Sequence, residues 1–253
     1  MDRWHTSPSW AARFTMGSTE QIDAVDADFR VDPAPRLTLG VQHAGRLALV
    51  TEQGKLPLTT CGISGMLDRP RQFAYTERVS HTLLHFRPEA AYAVLGIGAH
   101  ALSGQSLAIA DLLGPSVSNE LFERVCEAPD RTARVRAMVQ VLDALPERRT
   151  VSLFVQEAKR RIEASNGVLP IHEIRRALGV NERRLERRFL EEVGLPPKAY
   201  ARLVRFTHAA HLARTADTLA DVACIAGYSD PAHFAREVKR YTGKPASALR
   251  TAV

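Results

Sequence analysis

A pattern that recurs at a fixed offset constrains this chain of 253 residues more than anything else in it. Gly194, Pro196 and Tyr200 stand 49 residues before Gly243, Pro245 and Leu249, and at the same offset Leu185, Arg187 and Phe189 fall on Phe234, Arg236 and Val238. Matching residue types over so many positions mark two copies of one supersecondary unit. The turn glycines, Gly179 and Gly227, align at 48, so the second copy carries one extra residue between its turn and the next helix.

Each copy spells a short helix, a glycine turn and a second helix. In the first, Pro170 stands where a helix can begin, Ile171, Ile174 and Leu178 make an apolar stripe, and Gly179 stops it. Asn181 can cap the next helix, in which Leu185 and Phe189 face inward at i and i+4 while Arg183, Arg184 and Arg187 point away. The second copy runs through Leu219, Val222, Ala223 and Ala226 to Gly227 and Tyr228, with Ser229 or Asp230 as cap and Pro231 in the first turn. Phe234 and Val238 form its seam, and His233, Arg236, Lys239 and Arg240 lie on or near the outer face.

A basic outer face alone is usually a solvated one. Two in tandem behind glycine turns make the arrangement that lowers a helix into the DNA major groove, where Arg takes guanine edges and neighbouring cations hold phosphates. Between the units, Pro197 to Thr215 predicts one linking helix. Its nineteen residues would span roughly 28 Å, close to the ~34 Å between major grooves one turn apart.

The run GlyTyrSerAspProAlaHisPheAlaArgGlu from Gly227 to Glu237, followed by TyrThrGlyLysProAlaSerAlaLeuArg, resembles the most distinctive segment of the AraC/XylS family of bacterial transcription regulators. Leu178 to Phe189 is similar to that family's first unit. The resemblance covers about the last 85 residues. It implies an all-α domain with two helix-turn-helix units, binding double-stranded DNA sequence-specifically, with RNA polymerase as a further partner and activation as the family tendency. Carried over position by position, it places base contacts on Arg183, Glu186 and Arg187 in the first reader and on Ala232, His233 and Arg236 in the second. Arg184, Lys239 and Arg240 complete the expected DNA-binding set. Two positions depart from the family. Arg175 stands where a small residue usually packs against the reading helix, so it must snorkel or push the helices apart. Val238 replaces a common Phe and leaves less core volume.

Charge divides the chain in the same way. Residues 151–253 carry 18 Lys and Arg against 11 Asp and Glu, and residues 1–150 carry 16 against 17. The basic excess sits where attraction to phosphate requires it. Cys61, Cys126 and Cys224 are odd in number and widely spaced, which reads as reduced thiols of a cytoplasmic protein without a disulfide framework or zinc site. The N-terminus, with Trp4, Trp10 and Phe14, has no signal-peptide pattern. Ala90 to Ala110 lacks charge but holds Gly96, Gly98, His100 and Gln105, too polar a run for a membrane span.

The first half reads as short strands at Leu37 to Gln42, Arg46 to Glu52, Leu56 to Ile63 and Val79 to Phe86, with hairpin turns at His43 to Gly45 and Gln53 to Gly54. Helices follow from Pro88 to Gly96, Ala108 to Leu113, Ser116 to Glu127 and Arg131 to Leu145, the last capped by Asp130. This half resembles the cupin-like sensor halves joined to regulators of that family, and PheArgProGlu at Phe86 to Glu89 resembles one poorly characterised subgroup. The expected fold class is therefore α+β. Residues 1–148 form a cupin-like sensing or dimerising domain and residues 149–253 the DNA-binding domain, divided at the polar ProGluArgArgThr of Pro146 to Thr150. Such a regulator is expected to answer a small-molecule effector. The stripe Ala133, Ala137, Met138, Val141, Leu142 and Leu145 either packs on its own barrel or makes a homodimer contact.

His81 and His85, four apart on one strand face, could approach a metal. Tyr75 and Glu77 are the other nearby candidates, but no third His completes a site, and the ordinary half-buried histidine is the simpler account. No nucleophile elbow, Walker loop or dinucleotide fingerprint is present. The expectation is a protein that is not an enzyme and needs no cofactor or metal. The alternative is a metal-dependent cupin-type enzyme fused to a DNA-binding module.

Overall fold

Strand-forming segments between Phe14 and Ala108 pair into two antiparallel sheets. The structure, a computed structural model, describes residues 14–22, 27–75 and 77–250; Trp4 and Trp10 lie outside the described residues. In chain order the strands are β1 (Phe14–Ile22), β2 (Ala27–Val31), β3 (Leu37–Ala44), β4 (Leu47–Thr51), β5 (Gly54–Pro57), β6 (Cys61–Ser64), β7 (Arg71–Tyr75), β8 (Val79–Phe86) and β9 (Ser106–Ala108). The larger sheet runs β1-β8-β3-β6-β9 and the smaller β2-β7-β4-β5. The single strand expected over Leu56 to Ile63 is two, because the chain leaves one sheet after Pro57 and enters the other at Cys61. His43 to Gly45 likewise carries the chain between sheets rather than turning a hairpin. Gln53 and Gly54 do turn one, with Thr51 paired to Gly54.

Alternation along the larger sheet separates two environments. Leu37, Leu39, Val41, Ile63, Leu84 and Phe86 share one face and are buried beneath helices. The opposite face carries Gln42, Val79, His81 and His85 toward the smaller sheet, where Val79 packs with Leu47 and Tyr75. His81 and His85 thus share a face, as their spacing requires. His85 Nδ1 lies 2.9 Å from Thr38 Oγ1, and among the described residues no group of three His, Cys, Asp or Glu is placed to hold a metal ion.

Helices α1 (Pro88–Leu95), α2 (Ile109–Leu113), α3 (Pro115–Glu127) and α4 (Arg131–Asp143) follow. Asp130 caps α4 by accepting from the Ala133 N–H at 2.8 Å. The α4 stripe turns inward: Ala137, Met138, Val141 and Leu142 are buried, and the helix packs on β1 and β8. Among the described residues no helix is long and apolar enough to cross a membrane.

Burial, the Arg134 guanidinium and His81 push the His43 imidazole down from its ordinary 6.5 to about 4. Between those values the folded chain binds fewer protons than the unfolded one. The contribution of His43 to stability is therefore full above pH 6.5 and is lost as the pH drops toward 4. Thermal melts at about pH 7 and pH 5 check this. A lower midpoint is expected at the acid value, with a narrower gap in His43→Gln; an unchanged gap would remove His43 as its source.

The remaining helices are α5 (Leu153–Ala164), α6 (Ile171–Leu178), α7 (Glu182–Val193), α8 (Pro197–Leu212), α9 (Leu219–Ile225) and α10 (Pro231–Thr242). Gly179 and Gly227 take φ of 64° and 71° at the two turns, a conformation that would strain a side chain. Asn181 accepts from the Arg184 N–H at 2.8 Å and Asp230 from the His233 N–H at 2.6 Å, so both expected caps hold their helices. The linking helix α8 has 16 residues, about 24 Å, shorter than expected. Its end tightens into three-residue turns, Arg214 N–H to His211 O and Thr215 N–H to Leu212 O.

Besides the Leu47, Tyr75 and Val79 group between the sheets, two larger apolar cores form among the described residues. The larger runs from Leu39 and Leu84 through Met138 and Leu142 to Val155, Phe189 and Tyr200. The smaller gathers Leu203, Phe206, Val222, Phe234, Val238 and Tyr241. Helix α8 serves both, sending Tyr200 and Val204 into one and Leu203 and Phe206 into the other. The first helix-turn-helix unit is therefore packed as one body with the strand-rich half, while the second has a core of its own.

Candidate nucleic-acid interface

The seams of α7 and α10 decide which side chains face outward. Leu185 and Phe189 are buried along α7, which leaves Arg183, Arg184, Glu186 and Arg187 exposed. Phe234 and Val238 do the same for α10, leaving Ala232, Arg236, Lys239 and Arg240 exposed and His233 half-buried. Every residue of the expected reading set is thus at the surface, but not all are equally available. The Arg184 guanidinium lies 5.1 Å over the Phe154 ring of α5 and that of Arg240 lies 5.8 Å over Tyr241. His233 Nδ1 is 3.1 Å from Ser229 Oγ, and its ring meets Tyr228 edge-on. Arg175 is half-buried at the position where the second unit has buried Ala223, and Ile174 and Leu185 beside it remain fully covered. Snorkelling, rather than separation of the helices, accommodates it. In the second unit the volume beside Val238 is shared with Phe206 and Tyr241, whose rings stack at 4.7 Å.

Helix α7 is anchored at its C-terminal end by a buried carboxylate. Glu192, 0% exposed, accepts from Ser152 N–H at 2.7 Å and Ser152 Oγ at 2.6 Å, and pairs with Arg188 at 2.6 Å. Ser152 is the residue that opens α5 without capping it, so Glu192 brings a negative charge to that helix N-terminus. Further contacts tie this assembly to α1. Arg148 and Arg149 donate backbone N–H groups to Ala93 O, and Lys159, buried, sits 3.2 Å from Glu89 and 2.8 Å from Glu163. Ser103 Oγ donates to Gly194 O at 2.7 Å, joining the turn after α1 to the end of α7.

Between the two units a groove of about 530 Å³ opens along α8. Val168, Pro170 and Ile171 form one wall, Lys198, Arg202 and Arg205 the floor, and His233 reaches it from α10. Arg205 is held in place by Tyr228, 4.6 Å below its guanidinium, and by Glu237, 3.9 Å away. Burial pushes the Tyr228 hydroxyl well above its ordinary pKa, with the Glu237 charge adding to the shift. Reading the sequence by its apolar stripes missed both this groove and Glu192. Lys198, Arg202 and Arg205 follow i, i+4 and i+7, a second stripe on a helix noted only for its apolar residues. Nothing in the spacing of Glu192 marks it as buried.

Residues 174–252 match a protein family described as a helix-turn-helix domain, which takes in both units. No curated protein matches the chain. Among solved structures, ToxT from Vibrio cholerae is similar at 11% identity and a TM-score of 0.50, over 94% of this chain and 98% of its own. ToxT bound to (E)-4-(8-methylnaphthalen-1-yl)but-3-enoic acid is similar at 12% identity and a TM-score of 0.53, over the same shares. A probable AraC family transcriptional regulator from Rhodopseudomonas palustris is 28% identical over 40% of this chain and 96% of its own, at a TM-score of 0.35. The likeness to ToxT extends the shared fold across the strand-rich half as well as the helices.

Proposed function

We propose that this chain, a DNA-binding transcription regulator with an AraC-type helix-turn-helix domain, reads its operator by placing α7 and α10 in two successive major grooves. The observation that carries this is the pair of outward basic helices mounted on one continuous linking helix, α8. Arg187 and Arg236, exposed and free of ring contacts among the described residues, are the guanine readers. Arg183, Glu186, Ala232 and His233 complete the base-facing set, Glu186 as an acceptor for a cytosine amino group. Arg184, Lys239 and Arg240 hold phosphates at the rims.

In this reading residues 149–253 carry the DNA contacts and residues 1–148 the sensing. Solved ToxT has been seen with a small organic acid bound, and a small-molecule effector is the natural signal for the strand-rich half. Its effect would reach α7 before α10, because only the first unit shares the strand-rich core. The output would be altered promoter access for RNA polymerase in the cytoplasm. No dimer contact is assigned to α4, whose stripe the chain itself covers. Random-site selection with the purified protein tests the reading. A preferred sequence in two blocks about ten base pairs apart is expected; enrichment of no sequence would sink it.

A further inference from the structure

When two reading helices enter successive major grooves on one DNA face, the surface between them meets the intervening minor groove and its bordering phosphate strands. In this protein that surface is the groove along α8. Its floor presents three cations, Lys198, Arg202 and Arg205, with two histidines, His172 and His233, at its edges and Glu237 as its lone carboxylate. Glu237 is 7% exposed and turned to Arg205, so the charge offered to a ligand is positive. We propose that this groove seats one sugar–phosphate strand of the DNA between the two half-sites. Lys198 and Arg202 would hold its phosphates, and Pro170 and Ile171 would pack on deoxyribose. The proposal rests on the reading of α7 and α10 as DNA readers.

Three observations favour DNA backbone over other anions. His233 belongs both to the groove and to the outer face of α10, so groove and reading surface are continuous. The wall of Val168, Pro170 and Ile171 is apolar where a sugar edge, rather than a hydrated small anion, would lie. Helix α6 begins at that wall after Pro170 with no side-chain cap, so its first N–H groups are available to a phosphate oxygen. Arg205 acts as a positioning residue. Stacked over Tyr228 and facing Glu237, it fixes the floor on which Arg202 stands one helical turn away.

Phosphate contacts position a protein without reading sequence. The full chain is therefore tested on its selected operator as the parent and as Lys198→Gln and Arg202→Gln. Each variant is expected to bind about tenfold more weakly, to keep the parent's preferred sequence, and to lower the salt slope by about 0.9. A neutral methylphosphonate linkage between the half-sites should weaken the parent and leave the matching variant unaffected. Lys198 is exposed, so its replacement spares the fold even if Arg202→Gln does not. A parent with no preferred sequence would overturn the underlying reading. A specific parent whose Lys198→Gln variant keeps the full slope overturns the groove assignment alone, as does a variant that changes base preference. A parent insensitive to every methylphosphonate between the half-sites overturns it too and gives the groove to a soluble anion.

Discussion

Glu192→Ala is expected to cost about 3 kcal/mol of stability, because it leaves the Ser152 N–H and hydroxyl without their acceptor and takes from Arg188 the buried one of its two carboxylate partners, Glu191 remaining at 3.0 Å. The Glu192 carboxylate joins the end of α7 to the start of α5, while the neighbouring Glu191 separately pairs with Arg149 at 3.3 Å in the segment leading from α4. Its loss should loosen α7 from the start of α5 rather than only soften a helix end. For a chain of this size the melting midpoint should fall by about 10 °C. Glu192→Gln keeps the shape but turns an amide toward a donor, so it should fall between parent and alanine. Thermal melts of the three proteins decide it. A midpoint for Glu192→Ala within a degree or two of the parent would mean that water replaces the carboxylate and that the anchor is not real.

Phe234→Ala should cost a similar amount, about 3 to 5 kcal/mol, but the loss should be local. Phe234 is 1% exposed in the smaller core, which joins α9, α10 and the end of α8 and takes in no residue of either sheet. Hydrogen exchange followed peptide by peptide should show the amides of α9 and α10 losing protection while β3, β8 and α4 keep theirs. Phe189→Ala, in the larger core, should instead loosen α7 together with the helices beneath the sheet. Equal loss of protection throughout the chain in Phe234→Ala would show that the two cores unfold as one, and that the independence assigned to the second reader is wrong.

These outcomes follow from features that differ in how far the sequence discloses them. The repeat, the caps Asn181 and Asp230 and the seams of α7 and α10 are local: spacing along one helix and one capping residue suffice. The strand-rich half is set by pairing between distant segments, and periodicity cannot show which. Leu56 to Ile63 reads as one apolar run, yet it divides at Leu58 to Thr60 because its ends belong to different sheets. Strands β1, β2, β7 and β9 have too little alternation or length to stand out before their partners are known. The linking helix reads as longer than it is because no Gly or Pro marks its end after Leu212. Glu192 and the Lys198, Arg202, Arg205 floor lie deepest. A buried carboxylate and a basic stripe look like solvated surface until the helices that cover or flank them are in place.

Random-site selection on the parent, Arg187→Ala and Arg236→Ala tests the central claim most directly, because it asks which helix reads which bases. Arg236 stands on a helix seated against small Ala223, with exposed Ala232 giving room for close approach; Arg187 belongs to the unit that carries Arg175. Each substitution is expected to cost about 1 to 3 kcal/mol and to relax preference at its own position, the two about ten base pairs apart. The larger loss of specificity is expected for Arg236→Ala. If Arg236→Ala keeps the parent's full preferred sequence and weakens binding to all sequences alike, Arg236 holds a phosphate and the reading of α10 as a base-reading helix is contradicted.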